Sequence, residues 1–393
     1  MLLKRLRLRH FRTYDNLDLR LSAGVSLVHG GNAVGKTNLL EAIYVLATTK
    51  SFRTRTDREL IARDIDDGDG QRYARLEGDA ETRSGPIRVE MALAEQTSRS
   101  PVEASVRKQF RLNGSPKRAG DVVGEIKAVF FSPDDVLLIT GSPSGRRRYM
   151  DLMLCQIDHR YLRLLQEYAR VLVQRNSLLQ RLRGRPDPAS LLEFWDEKLV
   201  AVGLEIMMTR KAMLRVLCSF AREAYSDLSG TGEELGIAYK PSLEPAGELP
   251  DIQIARAFEE RLQQLQTKEI FQGMTLCGPH RDDLEILING VEAQSFGSRG
   301  QQRSTALSLR LAELRYITNR TGEQPILLVD EGMAELDAHR SRLLLRTMES
   351  YPQVLATASN VDAFPLEFRQ QSTLLHVETG SVEITQPERL RAG

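Results

Sequence analysis

One stretch, residues 28–43 with the sequence VHGGNAVGKTNLLEAI, constrains the fold of this chain more than any other. The phosphate-loop pattern G-x-x-x-x-G-K-[ST] is matched by Gly30, Gly35, Lys36 and Thr37. An apolar run precedes the loop, and a helical apolar pattern follows it, which is the strand–loop–helix context that the pattern requires. Glycines let the backbone approach phosphate oxygens, and the N–H groups of a helix start face negative charge. The stretch therefore predicts a nucleotide site.

The loop supplies eight candidate ligands for the nucleotide: Gly30, Gly31, Asn32, Ala33, Val34, Gly35, Lys36 and Thr37. Lys36 is expected to bring its charge to the β- and γ-phosphates, which gives it a catalytic role as well. Thr37 is expected to bring its hydroxyl to Mg²⁺. The cofactors predicted from this loop are ATP and Mg²⁺.

A second apolar run, Leu327-Leu328-Val329, ends in Asp330 and Glu331. Such a run is typical of a central parallel strand, whose carboxyl end presents side chains to a ligand. Asp330 is expected to hold Mg²⁺ or its water, and Glu331 to polarise the attacking water as general base. The plainer interpretation is a pair of exposed acids after a strand.

Ser298-Arg299-Gly300-Gln301 opens a predicted helix at 301–318, and a Ser and a Gly at a helix start can bind an anion. The chain thus has two helix starts suited to phosphate. Head-to-tail dimerisation would let Ser298 of one molecule meet the nucleotide on the loop of another.

Apolar periodicity predicts an α/β chain. In the first third of the chain we expect an edge strand at 2–8, strands at 17–21 and 25–28, a helix at 37–47, hairpin turns through 64–85, an antiparallel sheet from 87–93, 102–106 and 110–112, and a strand at 129–131. The middle should contain long helices at 161–182 and 192–220, a strand at 237–239, a helix at 252–271 and a hairpin at 286–293. Helices at 301–318 and 338–349 and strands at 326–329 and 354–357 should follow, with two more strands at the C-terminus. Strand–helix alternation at both ends, with helices between, predicts one nucleotide domain interrupted by an insertion. We place the N-terminal part of this domain at 1–140, the inserted helical arm at 141–272 and the C-terminal part at 273–393.

Composition narrows the class of protein. A length of 393 residues suggests two or three units, and the three cysteines are too far apart for a zinc motif or a disulfide framework. The N-terminus lacks the apolar core of a signal peptide, and no run approaches 18 apolar residues. We therefore expect a cytoplasmic protein with free thiols.

The net charge is only +1, so any affinity for nucleic acid must come from local basic surfaces. Residues 1–14 carry five Lys or Arg and no acid, residues 50–58 form a basic loop, and residues 146–185 contain ten arginines against three acids. The first stretch fits a solvated strand face as well as a phosphate-binding surface. The third favours phosphate, since a solvated helix face would mix signs. Tentative DNA contacts are Arg53, Arg55, Arg146, Arg147 and Arg148.

The phosphate loop, the Ser-x-Gly-Gln signature and the Asp-Glu pair together resemble the ABC-type ATPase heads of SMC and Rad50 proteins. A narrower resemblance, to the RecF family of bacterial recombination mediators, spans nearly the whole chain. It is carried by residues 35–44 (GKTNLLEAIY), 131–135 (FSPDD), 145–148 (GRRR), 174–176 (QRN) and 278–283 (GPHRDD).

This resemblance implies an ABC-type P-loop ATPase head, with a mixed parallel sheet and an antiparallel β subdomain, and an inserted α-helical arm. It implies a protein that dimerises on ATP, binds single-strand/double-strand DNA junctions and hydrolyses ATP slowly, as a weak DNA-stimulated ATPase. With RecO and RecR it would help load RecA on gapped DNA. Ser298, Gly300 and Gln301 would contact the nucleotide of the other subunit, with Ser298 in a catalytic role, and Arg12 would touch nucleotide.

Three positions depart from the family pattern. Ala33 stands where a second loop glycine is usual, and at positive φ an alanine costs about 1 kcal/mol. Ala334 replaces a serine, and Ala358-Ser359-Asn360 stands where an Asp or His is expected. These departures bear on turnover more than on nucleotide binding.

Two other functions fit parts of the sequence. An ABC ATPase that serves a transporter or the ribosome would have the same loop, but the arginine-rich insertion and the missing switch histidine argue against it. A structural DNA-binding protein with a decayed site would not need Lys36, Thr37, Asp330 and Glu331.

Overall fold

Two units divide the chain in this computed structural model, which describes residues 1–54, 56–63, 72–96, 105–183, 189–230, 232–243, 251–331 and 336–385. The first unit combines Met1–Asp135 with Glu313–Gly393, and the second is Val136–Ala312. The sequence-based arm at 141–272 ends earlier than the second unit, because a strand inside that arm pairs with a strand beyond residue 272.

Two six-stranded sheets form most of the first unit. The strands of the antiparallel sheet are β1 (Leu2–Phe11), β2 (Tyr14–Arg20), β4 (Tyr73–Thr82), β5 (Gly85–Glu95), β6 (Val106–Leu112) and β7 (Ser115–Lys117), in the order β2-β1-β4-β5-β6-β7. Those of the mixed sheet are β3 (Gly24–His29), β8 (Ala128–Phe131), β12 (Ile326–Val329), β13 (Gln353–Ala358), β14 (Thr373–Glu378) and β15 (Ser381–Thr385), in the order β15-β14-β3-β13-β12-β8. The mixed sheet is parallel except for the β14–β15 pair.

The helix α1 (Lys36–Thr48) packs against both sheets and is buried along nearly its whole length. Apolar side chains all round a helix indicate a core position, and those of α1 join one hydrophobic core with both sheets. Two further helices in this unit are α9 (Ala338–Ser350) and α10 (Leu366–Gln370). The loop before α1 is thus fixed by a buried strand on one side and a buried helix on the other.

The second unit is mainly helical. Its helices are α2 (Leu137–Thr140), α3 (Pro143–Cys155), α4 (His159–Arg181), α5 (Ala189–Ser229), α6 (Asp251–Gln272) and α7 (Ala293–Phe296), and α8 (Arg299–Thr321) begins in it. A three-stranded antiparallel sheet orders β11 (Val291–Glu292), β10 (Asp283–Ile288) and β9 (Leu235–Lys240). The fully buried Arg175 of α4 forms ion pairs with Asp196 of α5 and Glu269 of α6, which joins the three long helices.

The predicted fold class is confirmed: an α/β unit with parallel and antiparallel sheets is interrupted by a helical insertion. Three local predictions are wrong. The strand at 2–8 is not an edge strand, because β1 lies between β2 and β4. Residues 73–82 are not turns but form β4, whose alternate small and apolar side chains face the core. Ala293 belongs to α7 rather than to the hairpin. The predicted turns at 64–71 and most of the strand at 102–106 lie outside the described residues.

The three cysteines are free: Cys155 and Cys277 are buried and Cys218 is half-buried. Burial raises the pKa of the Cys277 thiol to about 12 and that of Cys218 to about 11. No helix in the described ranges has the length and apolar character needed to cross a membrane.

A half-buried histidine in the second unit, His280, makes the stability of the protein depend on pH. His280 Nδ1 lies 2.8 Å from the Tyr168 hydroxyl, and burial lowers the pKa of His280 from 6.5 to about 4. Between these pH values the unfolded chain binds the proton and the folded chain does not, so stability is lost as pH falls from about 6.5 to about 4.

We expect His280→Gln, which replaces the imidazole by an amide that hydrogen-bonds but does not titrate, to flatten this acid loss. The loss is on the order of a few kcal/mol in the wild type. Urea unfolding midpoints at pH 7.5 and 4.5 measure it, with the exposed His339 replaced by Gln as the control. An equal acid shift in wild type and His280→Gln would contradict the assignment.

Candidate nucleotide site

The loop between β3 and α1 needs glycine at two of its positions. Gly30 has φ +146°, and a Cβ there would lie 2.3 Å from the carbonyl oxygen of Val377 on β14. Gly35 has φ +118°, and a Cβ there would lie 2.6 Å from Thr13 Oγ1. Both contacts are closer than van der Waals packing allows, so the neighbouring strand and turn impose glycine here. The conformation matches what the sequence pattern predicted.

Gly31, Asn32 and Ala33 form the exposed part of the loop. Ala33 has φ +62°, in the left-handed region that costs a non-glycine residue about 1 kcal/mol. The sequence predicts this strain if residue 33 has a positive φ, and the backbone does have a positive φ there. Val34 is half-buried.

Lys36 lies under the loop with 6 % of its surface exposed. Its ammonium donates to the carbonyl oxygens of Gly30 at 2.9 Å and Gly31 at 2.7 Å. An ammonium has three donors, so one remains for a phosphate oxygen. The loop backbone therefore curves around the Lys36 ammonium, and the carbonyl oxygens of Gly30 and Gly31 contact it.

Thr37 and Asp330 meet although they are 293 residues apart in the chain. Thr37 Oγ1 lies 2.9 and 3.0 Å from the two carboxylate oxygens of Asp330, and Thr357 Oγ1 lies 2.7 Å from one of them. Burial raises the pKa of Asp330, while the hydroxyls of Thr357 and Thr37 oppose the shift. A hydroxyl and a carboxylate are hard oxygen ligands, and a buried acid gains from a nearby cation. The pair therefore fits Mg²⁺.

Glu331 follows directly, with φ +47° and an exposed side chain. Its backbone N–H donates to Thr357 Oγ1 at 2.9 Å. The hydroxyl of Ser359 lies 2.8 Å from Glu331 Oε1 and 3.1 Å from Asn32 Oδ1 of the loop. Ser359 thus connects the proposed general base with the loop. The sequence pattern drew attention to residues 358–360 only because an Asp or His is expected there, and it gave Ser359 no role.

Arg12 approaches the same site from the turn between β1 and β2. Its guanidinium forms a bidentate ion pair with the fully buried Glu41 of α1, with distances of 2.9 and 2.8 Å. The Asn38 amide bonds Thr13 Oγ1 at 3.0 Å, and Arg53 donates to Asn38 Oδ1 at 2.8 Å. Sequence reasoning missed Glu41 and Asn38, because a polar residue in an apolar helix has no partner visible in the sequence.

A cavity of about 640 Å³ opens beside this turn. Its lining includes the arginines Arg12, Arg53, Arg58, Arg63 and Arg72. Three of them already have acid partners, since Arg12 pairs with Glu41 and both Arg58 and Arg72 pair with Glu95. Arg53 therefore belongs to the surroundings of the loop, in addition to its tentative role as a DNA contact.

Ser298, Gly300 and Gln301 lie in the second unit, whereas the loop lies in the first. Ser298 is exposed and caps α8: its Oγ accepts from the N–H of Gln301 at 3.2 Å, and Gln301 Oε1 accepts from the N–H of Ser298 at 2.8 Å. The two bonds form a reciprocal capping box at the start of α8. The Ser-x-Gly-Gln signature therefore caps α8, and such a helix start suits an anion.

The tentative DNA contacts separate in the structure. Arg146 is buried and forms a bidentate ion pair with Asp283, at 2.7 and 2.9 Å, so the prediction that it contacts DNA is wrong. Asp283 begins β10, far from the run 146–185 in the sequence, so the run itself does not reveal this acid partner. Arg147 is half-buried and donates to the carbonyl oxygen of Asp282, Arg148 is exposed, and Arg55 lies outside the described residues.

Four of the five basic residues in the run 1–14 likewise pair with acids on neighbouring elements. Acids on β2, β4 and α1 form the ion pairs Arg5–Asp18, Arg7–Glu77, Arg7–Asp79, Lys4–Glu81 and Arg12–Glu41. Because β1 is a central strand, acids flank it on both sides. The interpretation of this run as a phosphate-binding surface loses its support.

We expect Ala33→Gly to relieve the strain in the loop and stabilise the protein by up to about 1 kcal/mol, less the entropy that glycine costs in the unfolded chain. Urea unfolding of the first unit measures the change. Ala42→Gly in the middle of α1 is the matched control and should destabilise by roughly 1 kcal/mol. Loss of stability in both variants would show that Ala33 is not strained.

Comparisons with known proteins agree with this geometry. The family described as "RecF/RecN/SMC N terminal domain" matches residues 2–379. The "DNA replication and repair protein RecF" of Herpetosiphon aurantiacus is 41 % identical over 392 residues, covering 97 % of this chain and 99 % of the relative. The protein of the same name from Halalkalibacterium halodurans is 36 % identical over 384 residues, covering 98 % and 99 %.

Solved structures give the same result. The structure of "the recombination mediator protein RecF-ATP in RecFOR pathway" is similar with a TM-score of 0.86 and 31 % identity, covering 98 % of this chain and 97 % of that one. An Smc head domain from Pyrococcus furiosus has a TM-score of 0.51 at 15 % identity, which shows the shared fold alone. The chain belongs to the RecF family and has the ABC-type ATPase head fold of the SMC proteins.

Proposed function

We propose that this protein is an ATP-dependent DNA-binding recombination mediator. With ATP bound it dimerises, binds single-strand/double-strand junctions in gapped duplex DNA, and helps RecO and RecR load RecA. The observation that carries the proposal is the contact of Thr37 with Asp330, because it joins the phosphate loop to the acids of β12.

ATP is the nucleotide that this site suits. The loop residues 30–37 would surround the phosphates, with Lys36 as the point charge at the β- and γ-phosphates. The cavity beside Arg12 would hold the ribose and base. A solved relative is printed as RecF-ATP, which supports ATP as the ligand.

Mg²⁺ would be held by the Thr37 hydroxyl and the Asp330 carboxylate, and it would neutralise charge on the phosphates. This chain supplies the remaining groups. Glu331 would accept a proton from water, and the hydrogen bond from Ser359 to its carboxylate supports this role. A strained Glu331 backbone held by Thr357 keeps that carboxylate at the loop. Hydrolysis would be slow and stimulated by DNA.

Dimerisation would bring the capped α8 start of one molecule to the nucleotide of another. The Ser298 hydroxyl can donate to a γ-phosphate, and the N–H groups of Ser298 and Gln301 would have to exchange their capping bonds to do the same. In this role Ser298 completes a site that the loop alone leaves open. The names of the relatives, a DNA replication and repair protein and a mediator in the RecFOR pathway, support DNA, RecO and RecR as partners.

Sedimentation with and without ATP and gapped DNA tests this proposal. Wild type should form a dimer only with ATP. Lys36→Ala should stay monomeric because it lacks the charge that binds phosphate, whereas Ser298→Arg should bind ATP and still stay monomeric. The exposed Ser84, in the turn between β4 and β5, gives a control as Ser84→Arg and should dimerise normally.

Dimerisation of Lys36→Ala, or wild-type dimers independent of ATP, would overturn the proposal. Either result would favour a structural DNA-binding protein. Recovery of membrane or ribosomal proteins as the main partners would favour another ABC ATPase.

We expect Ser359→Ala to slow ATP turnover by roughly fivefold, which corresponds to the loss of one hydrogen bond of about 1 kcal/mol. The Michaelis constant should change less, because the serine bonds the proposed base and only one exposed loop residue. Ser359→Thr keeps the hydroxyl and should retain most of the turnover. Equal rates for wild type and Ser359→Ala would remove Ser359 from the site.

A further inference from the structure

The arginine-rich run 146–185 divides in the structure into residues with assigned partners and residues without an acid. Five of its arginines bond acids or backbone carbonyls: Arg146 (Asp283), Arg147 (Asp282), Arg160 (Glu205), Arg175 (Asp196 and Glu269) and Arg183 (Gln272). Half of the ten arginines in the run are therefore held by partners within the protein.

Three exposed arginines of α4 have no ion pair with any acid in the described part of the chain: Arg163, Arg170 and Arg181. Arg170 Nε lies 3.4 Å from the carbonyl oxygen of Gln166, and Arg181 Nη2 lies 3.1 Å from Ser177 Oγ, so both make only neutral contacts within their own helix.

Helix geometry places these three arginines on one line. At 100° per residue, Arg170 lies about 20° from Arg163 and Arg181 about 0° from it. At 1.5 Å per residue the row is about 27 Å long. Gln174 and Ser177 lie between, within about 40° of the same line. We call this row the α4 arginine stripe.

The composition of the α4 arginine stripe limits what can cover it. Glu167, the one acid of α4, also lies about 40° from Arg163, so the stripe carries three cations, one acid and two neutral polar side chains. No apolar anchor lies on the line, whereas protein interfaces centre on buried aromatic or aliphatic side chains. A ligand with repeated negative charge and no apolar contact fits better.

We propose that the α4 arginine stripe binds the phosphate backbone of the duplex part of gapped DNA. Duplex DNA advances 3.4 Å per base pair, so the row faces about eight base pairs. Arginine forks suit phosphate oxygens, and contacts to phosphate alone carry no sequence preference. This inference rests on the proposed function and adds the surface through which the DNA is held.

The test is a triple variant, Arg163→Gln, Arg170→Gln and Arg181→Gln, in the full chain with ATP. Fluorescence anisotropy on a gapped duplex over a range of salt gives both affinity and salt dependence. We expect affinity to fall about tenfold or more, and the slope of log K against log salt to lose about three units, one for each phosphate contact. ATP-dependent dimerisation, read by sedimentation, should be unchanged.

A matched control removes the same charge from arginines that already have acid partners. Arg75, Arg160 and Arg256 are exposed and pair with Glu90, Glu205 and Glu260, respectively. Their triple change to Gln should keep affinity within about twofold and leave the slope unchanged.

The outcomes separate the two claims. An unchanged slope in the stripe variant, with ATP-dependent dimers intact, overturns the α4 arginine stripe and leaves the proposed function standing. Equal losses in the stripe variant and the control also overturn it, since total charge would then explain binding. Failure of wild type to bind gapped DNA with ATP overturns the proposed function itself.

Discussion

The contact between the Thr37 hydroxyl and the Asp330 carboxylate is the interaction on which the site depends. It joins the first turn of α1 to the end of β12, and Thr357 of the neighbouring β13 bonds the same carboxylate. A buried acid held by two hydroxyls cannot leave without losing both bonds and exposing unpaired groups. The three elements are therefore fixed at one point, and the loop, Glu331 and Ser359 take their places around it.

Sequence patterns predicted what depends on local chemistry. The glycines at 30 and 35, the strained Ala33 and the buried strand before Asp330 all follow from residue type and spacing, and the structure has them. The partners of Arg146, Arg12 and Ser359 did not follow. Each is an acid or a loop residue distant in the chain, and only the pairing of strands and helices brings them together. For the same reason the basic run 1–14 looked like a free surface until flanking strands supplied its acids.

Several groups that would bind ligand already hold bonds of their own. Lys36 donates to two loop carbonyls, Thr37 to Asp330, and Ser298 caps α8. These bonds satisfy the polar groups of the site within the protein itself. Binding then exchanges bonds rather than creating them all, and its net free energy is smaller than a count of new contacts suggests. Specificity for a ligand then depends on how well its atoms replace the hydrogen-bond partners that these side chains give up.

The order of the mixed sheet has a consequence for synthesis of the chain. The strand that leads into the loop, β3, has β13 and β14 as its neighbours, and β8 has only β12. Both N-terminal strands of this sheet therefore lack hydrogen-bonding partners until residues 326–377 emerge from the ribosome. The helical insertion can meanwhile fold from local contacts. Nascent chains would carry a finished insertion next to an incomplete head, and a prematurely terminated chain would expose β3 and β8 edges that invite aggregation.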